Sequence, residues 1–309
     1  MKHLAIVLFL LWQGGEPPEA MTLARRAYDA ARRGNLDAAA ADLLEAARLA
    51  PRNALYRSAL GGLYARQNKP EEAIKSFREA VRLEPGNTAL KANLETLSLD
   101  YGAALARERR FRAGLQLARE TAALSPASAK AHIMLGLFET RNQQNVRAVA
   151  AYRRALELAP ESSDASVGLG IAQSAAGMLK ESQDTFEAGL RRFPQDAMHR
   201  QAYGVLLVKL AEAGGAGTER AIEMLQSALA LDPALAEAHY QLGSLALARE
   251  DHAAAASEFA AALGNGLDDS RIHYALARLL RRNGKTEEAA KHLRLFAERK
   301  AAEQDGRQP

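Results

Sequence analysis

Six prolines set the ruler for this chain. Pro51, Pro85, Pro126, Pro160, Pro194 and Pro233 are separated by 34, 41, 34, 34 and 39 residues. A near-constant period that closes on a helix-stopping residue constrains the chain to a stack of similar units. At about 150 residues per domain, 309 residues would make two domains; the period replaces that expectation. The stretch from 54 to 87 reads ALYRSALGGLYARQNKPEEAIKSFREAVRLEPGN. Leu60, Gly61 and Tyr64 share one helical face, and Asn68-Lys69-Pro70 turns the chain. Ala73, Phe77 and Ala80 then stripe a second helix, which Pro85 ends. Small residues stand where two helices cross closely, and aromatics fill the space between them. Runs of β-branched residues with period-two alternation are absent, and Ala, Leu, Arg and Glu dominate, so the fold class is all-α.

The pattern repeats. Leu135-Gly136 with Tyr152, Leu169-Gly170 with Phe186, and Leu242-Gly243 with Phe259 carry it onward. The most divergent unit holds Gly102, Leu105, Gly114 and the small Ala118 in place of an aromatic, preceded by seven extra residues of helical composition, Thr88 to Leu94. These residues resemble the tetratricopeptide repeat (TPR), a 34-residue helix–turn–helix unit. The resemblance covers nearly the whole chain. It implies a right-handed superhelical solenoid of about eight helix pairs over residues 20–303, with a longer first helix near 88–107 and a widened turn at 213–218. Residues 304–309 are expected to form a frayed tail.

Residues 1–20 stand apart. Lys2 is followed by nine apolar residues, Leu4 to Trp12, then by Gln13-Gly14-Gly15 and Pro17-Pro18. Nine residues cannot cross a bilayer core that needs about 20, so no transmembrane span is expected. The segment has the form of a short secretory signal peptide, or of an apolar helix docked on the first repeat. Cleavage would put a bacterial chain in the periplasm or outside the cell; without cleavage it is cytoplasmic. With no cysteine in the sequence, disulfides, cysteine metal sites and a cysteine nucleophile are excluded. The net charge of +4 is a mild excess, which argues for ordinary solubility and against nucleic acid.

No constellation of catalytic residues emerges. The seven histidines hold no HExxH spacing; His132, His239 and His273 take a helix-packing position, and His199, His252 and His292 are isolated along the chain. Gly168-Leu169-Gly170 lies inside a helix and follows no strand, so it is not a dinucleotide fingerprint. The Gly214–Thr218 stretch lacks the Gly-Lys-Ser/Thr ending of a phosphate loop. No Ser/His/Asp arrangement stands out. No enzyme activity, cofactor or metal is expected.

What the resemblance implies is a concave groove lined by the first helix of each repeat, with positions 2, 5, 9, 12 and 13 facing it. Position 13 is Arg32, Arg66, Arg107 and Arg141 in the first four repeats. Such a ladder could hold carboxylates bidentately; the same residues would also suit the negative end of a helix dipole. In the middle repeats the groove positions are apolar: Ile133, Leu137, Val167, Ile171, Val205 and Val208, with Tyr240 next. They would meet a bound peptide, or be covered by neighbouring helices. The Lys/Asn carboxylate clamp for chaperone tails is absent, since Ala24, Tyr28, Ala59, Thr96 and Asp100 occupy its positions. The expected function is a non-catalytic, exported scaffold that binds a peptide or partner protein in the groove. The alternative is a substrate-recognition subunit of an envelope enzyme complex with catalysis on another chain.

Overall fold

The computed structural model describes residues 17–212 and 217–304, with side chains to 302. Residues 1–16, within the anticipated signal segment, residues 213–216 of the anticipated wide turn, and residues 305–309 of the anticipated tail lie outside the described residues.

Sixteen α-helices and no strand make up the described residues. They are α1 (Pro18–Arg32), α2 (Leu36–Leu49), α3 (Ala54–Arg66), α4 (Pro70–Leu83), α5 (Thr88–Arg107), α6 (Phe111–Leu124), α7 (Ala129–Arg141) and α8 (Asn145–Leu158). There follow α9 (Ser163–Ala175), α10 (Leu179–Arg192), α11 (Ala197–Glu212), α12 (Thr218–Leu231), α13 (Ala236–Ala248), α14 (His252–Gly264), α15 (Ser270–Arg282) and α16 (Thr286–Gln304).

Local chemistry sets the ends. Asn53 accepts from the N–H groups of Leu55 and Tyr56, Asn87 from those of Ala89 and Leu90, and Ser128 and Ser162 from those of Ala131 and Ala165. Each satisfies donors that have no partner within their own helix. Proline opens α1 and α4, where its missing N–H is harmless. Two residues past α1, α3, α5, α7, α9, α13 and α15 the backbone turns left-handed, at Gly34, Asn68, Arg109, Gln143, Gly177, Glu250 and Gly284. The turn is thus a fixed geometric element, occupied by glycine in only three of these seven places.

The chain divides after Gln144 into two compact units. In the first, α1 packs on α2, α3 on α4, α5 on α6 and α6 on α7, while α5 also reaches α7. In the second, the chain of contacts runs from α8 to α16, and α9, α11 and α13 touch in series. First helices therefore lie side by side at α5–α7 in the first unit and at α9–α11–α13 in the second. Glycine makes the crossings close. A Cβ on Gly61 would stand 2.6 Å from the Phe77 ring, on Gly170 2.5 Å from Phe186, and on Gly243 2.9 Å from Phe259.

The divergent repeat solves the same problem differently. Ala118 is fully buried but too small to fill the gap. The space over Gly102 is taken by Met134, and that over Gly114 by Phe138, both from α7. α5 runs 20 residues and buries Leu90, Leu94, Ser98, Gly102 and Leu105 as one stripe. Around Leu94 and Ser98 it borders a cleft of about 630 Å³ against α4 and α6, walled also by Arg78, Val81, Thr121 and Leu124.

Candidate functional site

Arg32, Arg66, Arg107 and Arg141 are the last residues of α1, α3, α5 and α7, all in the first unit. The unpaired carbonyls of a helix C-terminus favour a cation there. All four are exposed. Arg32 lies over the Tyr28 ring at 5.8 Å and Arg141 over Phe111 at 5.8 Å. Among the described residues none of the four bonds a carboxylate, whereas Arg78, Arg110 and Arg119 of the same unit pair with Glu120, Glu71 and Glu139. Lys209, at the equivalent position of α11, is engaged by the Ser174 carbonyl at 2.9 Å.

The apolar candidates fare unevenly. Ile133 and Leu137 on α7 are half-buried. In the second unit Val167 and Val208 are 7% and 5% exposed and belong to the core around Tyr203 and Leu206. Neighbouring first helices cover them and leave little for a ligand to touch. Ile171 is 42% exposed and Val205 half-buried. Tyr240 stacks on Phe259 at 6.0 Å and carries the Arg271 guanidinium over its ring at 5.0 Å.

Two histidine clusters escaped sequence reasoning. His199, isolated in sequence, is fully buried in space. Its Nε2 lies 3.1 Å from the Ser166 hydroxyl, and its Nδ1 lies 3.2 Å from that of Ser163 and 3.4 Å from the Asp196 carboxylate. The connectivity is that of a Ser–His–Asp triad. A nucleophile needs a reacting carbon beside it; here the imidazole fills the space over Gly189, and the Ser166 hydroxyl faces the same filled gap. The group ties α9 to the start of α11, where Asp196 also accepts the His199 N–H. Burial pushes the imidazole below its ordinary value against the pull of Asp196. Burial would raise the Asp196 carboxyl, but hydrogen bonds from Ser163 and His199 overrule it and hold it low. One signal was available: Ser163 and Ser166 each stand 33 residues before Asp196 and His199, one short of the local repeat length.

In the second cluster His273 and His292 approach Nδ1 to Nδ1 at 2.9 Å, and His273 Nε2 meets Asp268 at 2.7 Å. Asp268 also binds Arg299. His132 and His239 have a simpler role: each reaches back six residues, to the Pro126 carbonyl at 3.2 Å and the Pro233 carbonyl at 3.1 Å. Among the described residues no three metal-ligating side chains converge, and no helix is long and apolar enough to cross a membrane.

Comparison with known proteins agrees with this architecture. A family model described as tetratricopeptide repeat matches residues 24–88, 99–163, 210–266 and 240–305, and a second of the same description matches 139–206. No curated protein matches the chain in sequence. Among solved structures, a tetratricopeptide repeat protein from Parabacteroides merdae is similar over 85% of this chain and 100% of its own, at 21% identity and a TM-score of 0.54. The APC/C hetero-tetramer Cut9-Hcn1 is similar over 96% of this chain and 63% of its own, at 14% identity and a TM-score of 0.57. At such identities the likeness is one of fold.

Proposed function

The chain belongs to the tetratricopeptide repeat family, and from that premise we propose that it is a non-catalytic scaffold holding an acidic segment of a partner protein. The segment lies along the first-helix face of α1, α3, α5 and α7. One observation carries the reading: Arg32, Arg66, Arg107 and Arg141 recur at one position of four successive repeats and have no carboxylate partner among the described residues. A guanidinium left without an internal partner keeps its donor fork for an outside carboxylate. Ile133 and Leu137, half-buried near Arg141, add apolar contact. Ile171, Val205 and Tyr240 offer the comparable surface of the second unit, while Val167 and Val208 serve the core there.

The test is affinity capture from a cell-envelope extract by the native chain and by an R66E/R107E double variant of equal helicity. A protein retained by the first and lost by the second is the expected result. Equal capture by both overturns the reading and leaves the arginines as helix-end cations.

The scaffold acts outside the cytoplasm in this reading. Its support is the composition of the first 20 residues, Lys2 followed by Leu4–Trp12. The mass of the protein recovered from cells should lack about that segment. A recovered chain that keeps Met1 sinks export without touching the binding reading.

A further inference from the structure

The excess charge of this protein is not spread over its surface. Between Ser270 and Lys300 there are nine arginines and lysines and three glutamates, a net +6 against +4 for the whole chain. Residues 1–162 are net +7 and residues 163–269 net −8, so the last helix pair is a basic block set directly after an acidic stretch.

The helix α15 sorts that charge onto one side. Ser270, Ile272, His273, Leu276, Ala277 and Leu279 are buried. Arg271, Tyr274, Arg278, Arg281 and Arg282 are exposed. At 100° per residue these five fall in a stripe about 100° wide, running roughly 16 Å along the helix. An aromatic shelf supports it. Arg278 lies over the Tyr274 ring at 5.9 Å, Tyr274 packs on Phe296 of α16 at 5.3 Å, and Lys300 lies over Phe296 at 5.3 Å. Arg271 lies over Tyr240 and is held by both oxygens of Asp269. Arg278, Arg281 and Arg282 have no carboxylate partner among the described residues. A guanidinium resting on a ring keeps its charge while its side chain is already ordered, so less entropy is lost on binding.

We propose that this face of α15 is a second docking site, independent of the arginines of the first unit, for an acidic segment of a partner protein. The segment presents three or more carboxylates within about 16 Å. Charge complementarity selects an anion. The rings select among anions: single-stranded nucleic acid needs open aromatic faces for its bases, and here guanidinium groups lie over Tyr240 and Tyr274. Carboxylates need only the fork of the guanidinium, and Arg278, Arg281 and Arg282 are exposed.

The experiment titrates the full chain into a fluorescein-labelled decaglutamate peptide and follows anisotropy at two salt concentrations. The expected result is binding that weakens with salt, and that falls at least tenfold in R278E/R281E/R282E while R66E/R107E loses less. The milder R278Q/R281Q/R282Q should fall in between, and far-UV circular dichroism should stay unchanged in all. Loss confined to R66E/R107E overturns this site and supports the first-unit one. Equal binding by every variant overturns both. An oligothymidine of 20 nucleotides that binds more tightly than the peptide, through the same three arginines, overturns the acidic-protein assignment in favour of nucleic acid.

Discussion

The pair α3–α4 and the pair α5–α6 are consecutive repeats built to one plan, yet they close their interiors with different parts of the chain. In α3–α4 the lock is internal: Phe77 of the second helix lies on Gly61 of the first. In α5–α6 the place of Phe77 falls to Ala118, and the filling comes from outside, as Met134 on Gly102 and Phe138 on Gly114. The volume is conserved, but its source is not. An internally locked repeat carries its own stability, while α5–α6 borrows from α7, so nearest-neighbour coupling is stronger there.

Removing the borrowed ring should break the contrast most sharply. Phe138 is fully buried, and Phe138→Ala should cost about 3–5 kcal/mol. Urea denaturation with hydrogen exchange should find protection lost in both α6 and α7. Phe77→Ala, of similar cost, should lose it mainly in α3 and α4. Next in size, Ala118→Phe should destabilise by about 1–3 kcal/mol, because Met134 and Phe138 already occupy the site. In the double variant with Phe138→Ala the two costs should fall short of their sum, and an additive double-mutant cycle would refute the exchange of fillers.

A third kind of lock sharpens the comparison through pH. Over Gly189 the filler is the imidazole of His199. Burial depresses its pKa below the ordinary 6.5, so its stabilising contribution is complete above 6.5 and is lost as pH falls through the folded value. The unfolded chain takes up the proton first. Denaturation midpoints measured from pH 7.5 down to 5.5 should therefore fall more in the native chain than in His199→Gln. Parallel profiles would exclude the imidazole as the cause. The smallest effect concerns the turns. Asn68 and Arg109 hold the same left-handed angle, φ 58°, which asparagine tolerates better than arginine. Arg109→Gly should stabilise by up to about 1 kcal/mol and Asn68→Gly by a few tenths, measurable as shifts of the urea midpoint.

Much of the fold was legible because it rests on spacing. Proline period, Leu-Gly pair and aromatic filler sit at fixed offsets, and each offset is a packing distance. The filler of α5–α6 was not legible, since Ala118 announces a gap without saying which segment fills it. The arginine ladder could be read as a set, and its lack of internal partners needed coordinates. Val167 and Val208 looked like groove residues because they occupy groove positions, yet the adjoining first helices bury them. The Ser163–Asp196–His199 group joins residues nearly a full repeat apart, beyond any local motif. The basic face of α15 was there to be read in residues 270–300, but a whole-chain charge averages it away.

Within each unit the helices pack on their sequence neighbours, and α5–α7, α9–α11 and α11–α13 reach one helix further. Native contacts therefore close only short loops, and the chain entropy spent before the first of them forms is small. Domains of low contact order fold in microseconds to milliseconds. A chain emerging from a ribosome or a membrane channel need not wait for its C-terminus: α3–α4 holds its internal lock once Phe77 has appeared, whereas α5–α6 must wait until Phe138 follows.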